Sequence, residues 1–145
     1  NVLKTRPPNN ATPTADEAAL CAPYLYDQIA AVRPEAIVTL GLPATRLILQ
    51  QEGSMASMRG RWWSYQHRTR TPDLIALVGA PGGVGAPGGE GEVPVMPTYH
   101  PAFLLRAYTK ENRLKVWTDL KQVVERLGLN PPVSRAGRDE PRENP

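Results

Sequence analysis

Apolar positions along the chain alternate between helical spacing and short unbroken runs. Leu20, Tyr24, Leu25, Ile29 and Val32 recur at intervals that place them on one side of a helix. Thr14 and Glu17 precede them with capping-box spacing, so a helix is predicted from there to about 32, ended by Arg33-Pro34. Pro23 falls inside the pattern and predicts a kink or a break. Pro43 suits the first turn of a second helix, running to about 50. The best-formed pattern covers 111–127, where Leu114, Trp117, Leu120, Val124 and Leu127 share a face and Gly128 stops the helix. Trp117, Tyr24 and Tyr26 are assigned to packing.

The unbroken runs read as strands. "NVLK" at 1–4 is a short buried strand, followed by the polar loop "TRPPNNATP". Residues 36–40 of "EAIVTLG" are apolar throughout, as in a parallel strand covered on both faces, and Gly41 turns the chain. "MRGRWWSYQHRTR" is read as an irregular strand pair, "DLIAL" as a further strand, and "VPVMPT" as the next. His100-Pro101 then begins a turn into a short helix. Strands alternating with helices predict a layered α/β fold.

Composition narrows this picture. A chain of 145 residues forms one domain at most, with a modest core. The 16 Pro and 12 Gly concentrate in a few places. The segment 79–92, "GAPGGVGAPGGEGE", offers no side chains to build a core and is expected to be a flexible insertion. Pro, Arg and Glu dominate the end of the chain, and 129–145 is expected to be a disordered tail. A formal charge of +3 and an isoelectric point near 9.2 make nucleic acid or another polyanion a reasonable partner. The one cysteine, Cys21, excludes an internal disulfide framework and fits a reducing compartment. No run has the length of a membrane span and no signal peptide is evident, so a cytoplasmic address without a membrane partner is expected. The chain opens on Asn1 with a strand already under way, which is read as a fragment missing something upstream.

In an open parallel sheet, ligands bind beyond the carboxyl ends of the strands. His100 follows its strand and is well placed for this. A neutral imidazole there could donate a hydrogen bond to an oxygen that gains negative charge; the alternative is a histidine satisfying a turn carbonyl. Phe103, Leu104 and Leu105 follow at once and are closed by Arg106. They are core residues at helical spacing, or a wedge entering a base stack beside a phosphate-binding arginine. Arg59, Arg61, Arg68 and Arg70, interleaved with Trp62, Trp63 and Tyr65, could track a nucleic-acid backbone. They could equally be a solvated strand pair with its aromatic residues on the core face. Cys21 has no Cys or His at ligand spacing in its own helix, so a metal site built from this chain alone is not expected, and a buried, inert thiol is the default.

Taken together, "NVLKTRPPNNATPTADEAALCAPYL", "RPEAIVTLG", "MRGRW" and "MPTYHPAFLLR" resemble, in order and spacing, the family-four uracil-DNA glycosylases. The resemblance runs over 1–127, interrupted by the Gly-rich insertion, and implies a partial glycosylase domain at 1–128. It implies a three-layer α/β/α fold around a mostly parallel sheet of about four strands, the first absent from this fragment. It also implies a monomeric enzyme that flips deoxyuridine out of single- or double-stranded DNA and hydrolyses its glycosidic bond. By position in the motifs, Asn1 resembles the asparagine that reads the uracil edge. His100 is similar to the histidine that hydrogen-bonds uracil O2. Leu104, with Leu105 second, is similar to the leucine filling the gap left by the flipped base. Pro101, Ala102 and Arg106 would pinch the DNA backbone, with Arg59 and Arg61 as further DNA contacts.

Two departures qualify what the resemblance implies. The family's Gly/Pro/Glu-rich first motif, which carries the acid associated with the attacking water, lies upstream of the asparagine strand and is absent here, so the fragment alone is expected to be inactive. The family's iron–sulfur cluster takes four cysteines; Cys21 matches the fourth, but Thr5 occupies the third position. Loss of the cluster is expected, and the cleavage step requires no metal. Alternatives to the enzyme are a non-catalytic DNA-binding homologue of the same fold, and a different hydrolase or nucleotide-binding domain on a similar layout.

Overall fold

The computed structural model describes residues 1–66 and 92–130. The expected strand at 73–77, Arg68, Arg70, the insertion at 79–91 and the tail from 131 onward lie outside the described residues.

Helix α1 spans Ala15–Val32 and opens with the predicted capping box. Thr14 Oγ1 accepts from the Glu17 amide at 3.2 Å, and Glu17 Oε2 accepts from the Thr14 amide at 2.9 Å. The helix does not break at Pro23. One missing amide removes one hydrogen bond, and burial of Ala22, Ile29 and Ala30 holds the turns on either side. Arg33 closes α1 in the left-handed region, its amide bonded to Ile29 O at 2.9 Å. Strand β1 (Ile37–Leu40) follows, then α2 (Leu42–Leu49), with Pro43 in its first turn as predicted.

The basic aromatic stretch departs from the expected strand pair. It begins with a single helical turn, α3 (Met55–Met58), capped by Ser54 and Ser57, and only then forms one strand, β2 (Trp63–Gln66). Strand β3 (Glu92–Thr98) begins at the last residue assigned to the insertion. It leads into α4 (Pro101–Arg106) and α5 (Lys110–Arg126).

The fold is mixed α/β, around a three-stranded sheet of order β1-β3-β2. β1 pairs with β3 in parallel, and β2 pairs with β3 antiparallel. The central strand carries two prolines, which a central strand normally excludes. The register explains them. Pro97 O accepts from the Gly60 amide, so Pro97 faces the β2 side, beyond the last β2 pairing at Trp63↔Val95. Pro94 faces the opposite side, before the first β1 pairing at Ile37↔Val95. Neither missing amide falls where a neighbouring strand needs it.

The expected strand at 1–4 is corrected: no strand forms there. Among the described residues no neighbouring strand receives its backbone, and Lys4 Nζ instead reaches Gln28 Oε1 on α1 at 2.7 Å.

The core gathers Ile29, Ile48, Leu49, Met58, Tyr65, Val93 and Val95, edged by Leu25, Tyr26, Ile37, Leu42 and Trp63. Tyr26 packs as expected, its ring 6.3 Å from that of Tyr65. Tyr24 and Trp117 do not: both are exposed, as are Leu20, Val32, Leu114 and Leu120. In α5 the buried residues are Asp119 and Val123, a different face from the apolar one. A buried ion pair, described below, turns that helix. Among the described residues, no helix is long and apolar enough to cross a membrane.

Candidate functional site

β1 and β3 run parallel and end together, at the pair Leu40↔Thr98. The chain therefore leaves the sheet twice at one place, through Gly41 and through Tyr99-His100. The Gly41 amide extends the pairing by one bond, to Thr98 O at 2.9 Å. Gly41 has φ +86°, and a Cβ on it would lie 3.0 Å from His100 Cβ. Glycine is required here both for the backbone and for the approach of the histidine. The buried Thr45 hydroxyl donates to Gly41 O at 2.9 Å and receives the Thr39 hydroxyl at 2.9 Å, which fixes the turn from beneath.

His100 is extended and caps α4, with Pro101 in the first turn. Its Nδ1 accepts from the Ala102 amide at 3.0 Å, and its carbonyl accepts from the Phe103 amide at 2.9 Å. That bond assigns the tautomer: with Nδ1 occupied as an acceptor, a neutral ring carries its proton on Nε2. The ring is exposed, so Nε2–H is a donor free to meet a ligand beyond the strand ends. This is more than a histidine that only satisfies the turn, since the turn uses one nitrogen and leaves the other.

The residues after His100 divide by environment. Phe103 stacks on Tyr99, with centroids 4.6 Å apart and planes at 28°. Leu104 is half-buried, Leu105 is 79% exposed, and Arg106 is exposed beside it. Pro101 is exposed and Ala102 half-buried at the head of α4. An apolar side chain in water next to a cation is thus present at this corner, and Leu105 rather than Leu104 is the more exposed of the pair.

The basic stretch also divides. Arg61 is exposed, its guanidinium 4.2 Å from the centroid of the Trp63 ring. Arg59 is turned inward: it pairs with the buried Asp119 and donates to Lys115 O at 2.6 Å. Asn1 stands apart. It is exposed, its main-chain carbonyl accepts from Lys4 Nζ at 3.2 Å, and no hydrogen bond among the described residues joins it to His100. Sequence reasoning named Gly41 only as a turn, and missed Thr98 and Asp119. For Asp119 a signal existed: it lies with Val116 and Val123 on a line of α5 distinct from the exposed apolar stripe.

The residues present do not fit a four-thiolate iron–sulfur cluster. Of the two matching ligand positions in this chain, Cys21 on α1 is a free thiol, half-buried rather than buried as expected, and the exposed Thr5 offers a hydroxyl, a poor ligand for such a cluster. Among the described residues, no three His, Cys, Asp or Glu side chains gather as a metal site.

Residues 1–121 match the family model of the uracil DNA glycosylase superfamily. Among curated proteins, the chain is 34% identical to a type-4 uracil-DNA glycosylase of Sulfurisphaera tokodaii, over 90% of this chain and 50% of that protein. It is 35% identical to a type-4 uracil-DNA glycosylase of Thermotoga maritima, over 84% of this chain and 52% of that protein. For that of Pyrobaculum aerophilum the identity is 36%, over 73% and 45%. The chain thus spans about half the length of the curated relatives it matches.

Proposed function

The chain belongs to the uracil DNA glycosylase superfamily, and from that premise we propose that the full-length protein excises uracil from DNA, acting as a monomer on single- or double-stranded substrate. The same reading carries a three-layer α/β/α architecture around a sheet of about four strands. Hydrolysis breaks the bond between C1′ and uracil N1, and both electrons leave with the base. A water oxygen bonds to C1′; one of its protons ends on the released uracil, the other stays in the sugar hydroxyl. An abasic site and free uracil result.

The observation that carries this reading is His100. Its Nδ1 is held by the Ala102 amide and its Nε2–H is free at the carboxyl end of β3. A neutral donor at uracil O2 stabilises the anion that the departing base becomes, an effect worth about 3–4 kcal/mol when the donor is preorganised. Extruding the nucleotide costs a few kcal/mol of stacking and pairing. Leu104 and Leu105 offset that cost by entering the gap, with Pro101, Ala102, Arg106 and Arg61 against the backbone. Motif position favours Leu104 as the intruding side chain, while exposure favours Leu105. Asn1 reads the uracil edge. Arg59 is left out of the DNA contacts because Asp119 already holds its guanidinium.

The test is direct. The purified full-length protein, including whatever precedes Asn1, is incubated with matched oligonucleotides carrying uracil or thymine at one position. Release of free uracil, leaving an alkali-labile abasic site, is expected from the first alone. Binding without release from either would support a non-catalytic homologue instead, and no preference for uracil in either readout would remove the reading altogether.

A further inference from the structure

α5 turns a charged residue into the protein. Asp119 is 0% exposed and meets three donor atoms from two residues. Thr98 Oγ1 donates to its Oδ2 at 2.6 Å, Arg59 Nε donates to the same oxygen at 3.0 Å, and a second Arg59 nitrogen pairs with Oδ1. The Arg59 side chain is itself 15% exposed and bonds Lys115 O. Its guanidinium lies 5.4 Å from the centroid of the Tyr99 ring, and Tyr99 stacks on Phe103. Gly60 lets the strand approach, since a Cβ there would lie 3.3 Å from Asp119 Oδ1.

The chain positions of these contacts matter. Thr98 is two residues before His100, Tyr99 is one before, and Phe103 is three after. The network therefore engages side chains on both sides of the histidine, and none of its described contacts is to the imidazole ring. A buried ion pair is weak evidence for stability, because desolvation offsets much of its attraction; its attested use is to select one arrangement over others. Here the arrangement selected is the exit of β3 into α4.

We propose that Asp119 and Arg59 are positioning residues for His100: the buried pair, acting through Thr98 on one side and the Tyr99–Phe103 stack on the other, holds the imidazole in the orientation that leaves Nε2–H facing the substrate. This rests on the proposed glycosylase reading for its catalytic consequence, but not for its structural one.

Two readouts on the full-length protein, including whatever precedes Asn1, separate those consequences. Asp119→Asn keeps the volume and an acceptor for Thr98 while removing the charge that Arg59 meets; Thr98→Val removes the hydroxyl in the same shape. The first readout is the imidazole ¹⁵N spectrum of His100, which requires no activity. In its neutral ring, wild type should show one tautomer, with Nδ1 unprotonated and Nε2 protonated, and folded Asp119→Asn should show shifted or mixed signals. The second is uracil release. Asp119→Asn should lower kcat by roughly tenfold to a hundredfold with little change in KM for the oligonucleotide, as misplacement of a catalytic group does. In a His100→Ala background it should add almost nothing, the coupling that a double-mutant cycle detects. Folded Asp119→Asn and Thr98→Val proteins with wild-type His100 spectra would overturn the proposal, whether or not the wild type releases uracil. So would a loss of rate that is the same with and without His100. A wild type that releases no uracil but shows the predicted spectral change would refute the proposed function and leave the positioning role standing.

Discussion

The turn that carries His100 and the first fourteen residues both hold distinctive motif residues, yet the two regions are secured by different means. His100 leaves a central strand paired on both edges, faces a glycine that admits it, caps a helix through its own ring, and is flanked by residues tied to a buried ion pair. Asn1 has neither a strand nor a helix around it, and its described anchor is one lysine reaching its main-chain carbonyl. The first region is over-determined, so its geometry is a property of the fold. The second is held by few described contacts, so any precise role for Asn1 must come from what it meets on binding.

That contrast predicts a graded set of mutational effects. Asp119→Ala should cost about 3–5 kcal/mol in urea denaturation, because it leaves a nearly buried guanidinium without its counter-charge. A cost near that of a surface substitution would mean that the pair does not secure the turn. Gly41→Ala should destabilise by about 1–3 kcal/mol, because φ +86° with ψ 169° is a conformation essentially reserved for glycine. It should also reduce uracil release further than the stability loss explains, because the new methyl displaces His100. Thr14→Ala should cost about 1 kcal/mol through loss of the α1 cap, with no effect on release once the protein is folded. Asn1→Ala should change stability by less than about 0.5 kcal/mol while weakening uracil recognition. A large stability loss there would erase the distinction between the two regions.

Much of this was legible in the sequence, for reasons that particular residues show. The α1 cap, the strand before Gly41 and the helix start at Pro43 depend on local chemistry, and each formed where the residues predict. His100 was legible because a strand followed by His-Pro locates its own end. The misreadings came from features that depend on distant partners. Strand 1–4 has a strand's composition but lacks a described neighbour. Leu114 and Trp117 have a core stripe's spacing, yet they face outward because Asp119, counted as polar, is satisfied by Arg59, sixty positions away in the chain. Hydrophobic periodicity treats a buried ion pair as surface and so assigns the wrong face to such a helix. Gly41 was read correctly as a turn, but its closeness to His100 follows from parallel pairing of β1 with β3, which no local pattern encodes.

The most direct test of the account is single-turnover release of uracil by His100→Ala beside wild type, both as the full-length protein, with oligonucleotide binding measured on the same samples. Loss of the preorganised donor should slow release on the order of 10²- to 10³-fold, with binding nearly unchanged. Release by His100→Ala at the wild-type rate would contradict the claim that Nε2–H of this histidine stabilises the departing base.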